Sequence, residues 1–229
     1  MLIFNCTERA AAHLYPEYRK DRQDTFFSPT GGRTIAADDA ALTLPGARHL
    51  MFVVHLIVHH RQRCLVALDY HTRQVHIIQG VRKGDSRDFI QRLRHRLICA
   101  AAVECGEYRL LSAQHLENGI AEFDRQHATV CFLVRSDRSC NQHIAQAVDE
   151  YRYLVNRAGR SPDDSEGLQV DTDLNHMLRK TRQDSDYFYP VQRMVARWLA
   201  DYQGWRRTDA EAAADKVVRR PGPDLRQRL

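Results

Sequence analysis

Three apolar runs in the first half of the chain, Leu50–Val58, Arg63–Asp69 and Gln74–Gln79, are rich in Val, Ile and Leu. His59-His60-Arg61-Gln62 and Tyr70-His71-Thr72-Arg73 separate them. Connections of about four residues suit antiparallel hairpins, because a parallel crossover needs a dozen or more. The run 50–60 also admits a helix, since short apolar stretches carry no decisive period. Upstream, Leu2–Cys6 reads as an opening strand, and Thr7 is placed to cap a helix from Glu8 to about Leu14 that Pro16 stops. Residues 16–48, with Ser-Pro, Gly-Gly and Leu-Pro-Gly, show no period and predict irregular structure with one short strand or turn.

Downstream the spacing changes to that of helices. Phe89, Leu93, Leu97 and Ala101 recur every fourth residue, with Ile90 and Ile98 beside them, and Asp85 stands where an N-cap belongs. A helix over 85–104 follows. A strand is expected near Tyr108–Leu111, a polar helix over 113–124 and a buried strand over Thr129–Val134. Ser139 with Gln142 resembles a capping box for a helix whose apolar face is Ile144, Val148, Tyr151 and Val155, ending at Gly159. Arg160–Asp173 reads as a surface loop, Leu174 to about Arg182 as a short helix, and Pro190 as the first turn of another. That helix carries Val191, Met194, Val195, Trp198, Leu199 and Tyr202 on one face. Thr208 and Glu211 are spaced to cap a last Ala-rich helix before Pro221. No repeat of 20–50 residues is present.

These elements predict an α+β fold: an antiparallel sheet covered on one side by helices, with a helical C-terminal tail. The expected division is one α+β domain over residues 1–203 and a basic helical tail over 204–229. The composition, 43% apolar and 28% charged, is that of a globular chain rather than a disordered one. The longest apolar run falls short of the roughly 20 residues a bilayer span needs, so no membrane partner is expected. Met1–Arg9 lacks the marks of a secretory signal, and a cytoplasmic location follows as the expectation. The six cysteines, with no C-x-x-C among them, are read as reduced thiols.

Net charge is +5, of which +3 falls in residues 204–229, and only four of the 34 bases are lysines. Arginine forks suit phosphate and carboxylate recognition, although a GC-rich coding genome also produces such a bias. The strand Cys6-Thr7-Glu8, the run from His59 to Thr72, the segment Gly80-Val81-Arg82-Lys83-Gly84-Asp85 and the pair Arg138-Ser139 together resemble a small bacterial family of unknown function. Its members open with a Cys-Thr strand, then carry a basic turn, a strand ending in an Asx-x-x-Thr turn and a Lys-x-Asp helix start. The resemblance spans roughly residues 1–190 and implies no particular activity.

Candidate chemistry is sparse. No G-x-S-x-G, phosphate-binding glycine loop or G-x-G-x-x-G turn occurs, and whether the chain is an enzyme is left open. His55, His59 and His76 lie on predicted strands and could converge on zinc or iron, although strand histidines more commonly only hydrogen-bond. Cys140, at an expected helix N-terminus with Arg138 and His143 near it, is the one cysteine placed for a lowered pKa. Acid pairs occur at Asp38-Asp39, Asp163-Asp164 and Asp171/Asp173, and the last two, in a polar loop, read as solvated. The leading expectation is a cytosolic binding or regulatory module that engages nucleic acid or an acidic protein, without a cofactor, through Arg61, Arg63, Arg82, Lys83, Arg87 and Arg94. Its plain alternative is a solvated helix face. Two further readings are a metal-dependent hydrolase built on the three histidines, and a structural or oligomer-forming protein using the Met194/Trp198 stripe if that face is exposed.

Overall fold

The structure is a computed structural model that describes residues 1–16, 49–158, 164–182 and 184–217. Twelve elements are described, beginning with β1 (Leu2–Cys6), α1 (Glu8–Leu14), β2 (Leu50–His59), β3 (Gln62–Asp69) and β4 (Val75–Gln79). Then come α2 (Ser86–Glu107), α3 (Ala113–Gln126), β5 (Val130–Val134) and α4 (Arg138–Ala158). The last are α5 (Asp164–Asn175), α6 (Pro190–Tyr202) and α7 (Arg207–Ala214). The chain is α+β, with a helical C-terminal region. The expectations over 17–48, 159–163 and 218–229 lie outside the described residues.

The two hairpins form as the run lengths imply: β2 pairs antiparallel with β3, and β3 with β4. The sheet as a whole is mixed, however, in the order β4-β3-β2-β1-β5, because β1 lies parallel to both β2 and β5. Phe4 stands in register with Phe52 and Phe132, and the three rings stack along one face at centroid distances of 5.7 and 4.9 Å. Phe89 of α2 meets Phe4 edge-on at 5.4 Å, and Tyr15, just past α1, meets Phe132 at 5.1 Å. Those helices therefore cover the Phe4 face. His55 points to the opposite face, where it donates from Nε2 to Asn141 Oδ1 on the first turn of α4 at 3.0 Å. Cover thus lies on both faces at the centre of the sheet, and every residue of β1 is buried. An unbroken apolar run, rather than an alternating one, is what two-sided burial demands.

Local capping explains several helix starts. Thr7 accepts from Ala10 N, and Asp85 Oδ1 accepts from Asp88 N at 2.9 Å. For α4 the cap is Asp137, whose Oδ1 accepts from Cys140 N at 2.7 Å, in place of the expected Ser139. No strand forms at 108–111. There α2 closes with Leu110 N bonded to Cys105 O and Arg109 N to Gly106 O, while Arg109 sits at φ 52°. That is a Schellman ending with arginine at the left-handed position. The expected loop over 160–173 contains α5 instead, and residues after Asn175 leave the helix to form a single antiparallel bridge, Arg179 with Phe188. Arg206, not Thr208, precedes α7.

Two compact units divide the chain: Met1–Leu93 with Gln126–Val148, and Arg94–Arg125 with the described residues from Asp149 onward. The first holds the whole sheet. The second is helical, and Phe123, Trp198 and Tyr202 form its aromatic cluster at 4.9 to 5.8 Å. The α6 stripe from Val191 to Tyr202 is buried in this cluster, Met194 and Trp198 included. A Cβ on Gly119 would lie 2.0 Å from Gln203 Nε2, so a larger residue there displaces the amide that donates to His115 O.

Candidate anion-binding cavity

The β2–β3 connection is tighter than the sequence suggests. His59 pairs with Gln62, so the turn has only two central residues, His60 and Arg61, at φ 45° and 63°. Both positive values mark the primed turn that matches strand twist, a place usually taken by Asn-Gly. A side chain in the left-handed region costs about 1 kcal/mol or more, so the turn carries strain at a basic residue.

Antiparallel register then brings distant cations together. The start of β3 meets the end of β4: Cys64 pairs with Gln79, and Gly80 N donates to Arg63 O at 3.2 Å. The chain continues from Gly80 into Val81-Arg82-Lys83-Gly84, and α1 pins this loop twice. His13 donates from Nε2 to Val81 O at 3.0 Å, and its own carbonyl accepts from Gly84 N at 2.8 Å. Gly84, at φ 89°, passes close to Pro16, so a Cβ there would be both strained and crowded. Arg82 and Lys83 are exposed between the two pins. On α2, Arg92 donates to Gln79 O at 2.6 Å and lies 3.6 Å from Asp88.

The result is a cavity of about 510 Å³ walled by Arg61, Gln62 and Arg63 from the hairpin, Gln79 to Lys83 from the strand end and loop, and Arg92 from the helix. Among the described residues, Arg61, Arg63, Arg82 and Lys83 have no carboxylate partner for their side chains. Four exposed positive charges thus share one concavity. Such a cluster repels itself unless an anion sits among it, and fields of this kind concentrate anions at the surface.

Four of the six basic residues expected from the sequence are therefore brought together. Arg87 is exposed on the first turn of α2 but does not line the cavity. Arg94 belongs to the second unit, where Asp124 holds it at 2.5 Å and its guanidinium lies 5.5 Å from the Phe123 ring centre. Sequence reading did not include Gln79 and Gly80. The signal that could have found them is Gly80 closing a strand whose partner begins with Gln62-Arg63.

The histidines are not brought together. His55 is in line with Val66 and Ile77, whereas His76 is in line with Ala67 and Val54, so the two point to opposite faces of the sheet. His59 shares the face of His55 but lies four residues along, about 13 Å. No group of three or more His, Cys, Asp or Glu side chains placed for a metal occurs among the described residues. Cys140 is likewise corrected. It is buried against the Arg73 guanidinium and Asp137, and burial outweighs the arginine, pushing its thiol up to about 12. All six cysteines are free. Asp171, read as solvated, is buried on Arg96 at 3.2 Å.

The site and fold define an α+β protein with an exposed basic cavity at one end of its sheet. The chain belongs to the family described as Domain of unknown function (DUF6933), which matches residues 41–193. The match covers the hairpin, the loop and α2, and begins after β1. No curated protein and no solved structure matches the chain. No helix among the described residues is long and apolar enough to cross a membrane.

Proposed function

We propose that the chain is a cytoplasmic binding module that engages nucleic acid through the cavity formed by the β2–β3 hairpin and the β4–α2 loop. The observation that supports this reading is the convergence of Arg61, Arg63, Arg82 and Lys83 without acidic partners among the described residues. A partner with closely spaced charges answers that density best. Each nucleic-acid strand carries a negative charge every ~3.4 Å of helix axis, whereas protein carboxylates are set on separate flexible side chains. The loop is pinned at Val81 and Gly84 before any partner arrives, which lowers the ordering cost of binding.

Anisotropy of a short labelled single-stranded DNA, read across a salt series with the full chain, tests the reading. Four phosphate contacts give a log–log slope of about −3. Replacing Arg61, Arg63, Arg82 and Lys83 with Ala removes most of that slope. Salt-insensitive binding, absence of binding at low salt, or a quadruple variant that binds like the parent rejects it, and capture of an acidic protein alone would assign the cavity to that partner.

A further inference from the structure

The side chains around the cavity restrict what it can recognise. Arginine and lysine only donate hydrogen bonds, and among the described residues Gln62 and Gln79 are the only lining side chains able to accept one. Among the described residues, no aromatic ring and no carboxylate lines the wall. A base in a single strand is held chiefly by stacking on an aromatic ring, while a sugar hydroxyl offers a proton that needs an acceptor. A chain of phosphoryl groups needs none of these, because every one of its exposed atoms is an acceptor. Gly80 adds room, since no described residue lies within 4 Å of the place where its Cβ would be.

Resting on the reading above, we infer that the cavity recognises phosphate oxygens alone, so that its ligand is any run of closely spaced phosphate groups, whatever bases or sugars they are joined to. Recognition is then independent of sequence, and inorganic tripolyphosphate occupies the same place as a strand of DNA. The arginine forks of Arg61, Arg63 and Arg82 each match two phosphoryl oxygens at once, and Lys83 adds a point charge. The wall of Arg92 stays fixed to Gln79 and Asp88 and serves as a backstop.

Titration calorimetry of the full chain with tripolyphosphate and with ATP, in metal-free buffer of equal ionic strength, measures this directly. The two ligands are expected to bind within about threefold, because a stacked base contributes roughly tenfold or more where a platform exists. Tripolyphosphate is expected to displace labelled oligo-dA, oligo-dT and oligo-dC at one common concentration. ATP or one homopolymer binding tenfold tighter overturns the inference and leaves nucleic-acid binding standing. So does DNA that tripolyphosphate cannot displace. If neither DNA nor tripolyphosphate binds, both readings fall together. Circular dichroism on the Arg82→Ala/Lys83→Ala variant confirms its fold, and undiminished tripolyphosphate binding by that folded variant removes the cavity from the argument.

Discussion

In the helical unit, three arginines are matched to aspartates: Arg96 with Asp171 at 3.2 Å, Arg193 with Asp184 at 2.5 Å, and Arg197 with Asp201 at 3.4 Å. Around the cavity of the sheet unit, Arg61, Arg63, Arg82 and Lys83 have no such partner among the described residues. The same residue type serves two ends. Where the Arg96 guanidinium is taken out of water, Asp171 neutralises it, because an unpaired buried charge costs several kcal/mol. Where a guanidinium remains in water, it is free to meet an anion from outside, at little cost to the fold. A net charge of +5 conceals this division, since the count says nothing about which cations are already neutralised.

The largest expected effect comes from unpairing the buried arginine. Asp171→Ala should destabilise the chain by ~3–5 kcal/mol in urea unfolding, and Arg96→Met/Asp171→Leu should recover most of it. A loss under ~1 kcal/mol for Asp171→Ala would show that the pair is not needed. By contrast, Ala at any one of the four cavity cations should shift stability by no more than ~0.5 kcal/mol.

Next in size is Gly167→Ala. Its Cβ would lie 2.3 Å from Arg96 Nη2 and 3.2 Å from Cζ, and Arg96 cannot swing aside without leaving Asp171. Overpacking of this kind costs ~1–3 kcal/mol, and the penalty should shrink in the Arg96→Met/Asp171→Leu background. An equal penalty in both backgrounds would place the clash elsewhere.

Smaller and opposite in sign is Arg61→Gly. Relief of the left-handed turn should raise stability by up to about 1 kcal/mol, while tripolyphosphate affinity falls. A variant that gains stability and keeps its affinity would separate Arg61 from the site. Arg94→Ala, on the paired side, should leave affinity unchanged.

The smallest effect concerns pH. Burial holds the His55 imidazole below its ordinary value, partly offset by its bond to Asn141. Because the folded pKa is depressed, this stability is complete above the ordinary value of about 6.5 and is lost as pH falls through the folded value. Unfolding midpoints from about pH 7.5 down to 5 should therefore fall more steeply for the parent than for His55→Gln. Parallel curves would contradict it.

How far the sequence reached follows from which forces are local. Thr7 and Asp85 cap their helices from the nearest turn, and Phe89, Leu93, Leu97 and Ala101 mark one helix face by spacing alone. β2, β3 and β4 were legible because each hairpin is closed by neighbours in the chain. α5 was not, because the residues it buries are Gly167, Asp171, Leu174 and Asn175, a stripe at helical spacing in which Leu174 is the one apolar side chain. Hydrophobic periodicity is blind to such a stripe; only the presence of Arg96 on another helix makes its burial favourable.

What the sequence determined by itself, then, was the identity of most elements, the α+β class and the basic character of the hairpin and loop. Tertiary structure alone decided that β1 and β5 join in parallel, that His55 and His76 face apart, and that Arg61, Arg63, Arg82 and Lys83 share one cavity while Arg94 does not. The reason is common to all three. Strand order and register set which distant residues meet, and a register is chosen by the sum of many weak contacts across the sheet rather than by any short stretch of chain.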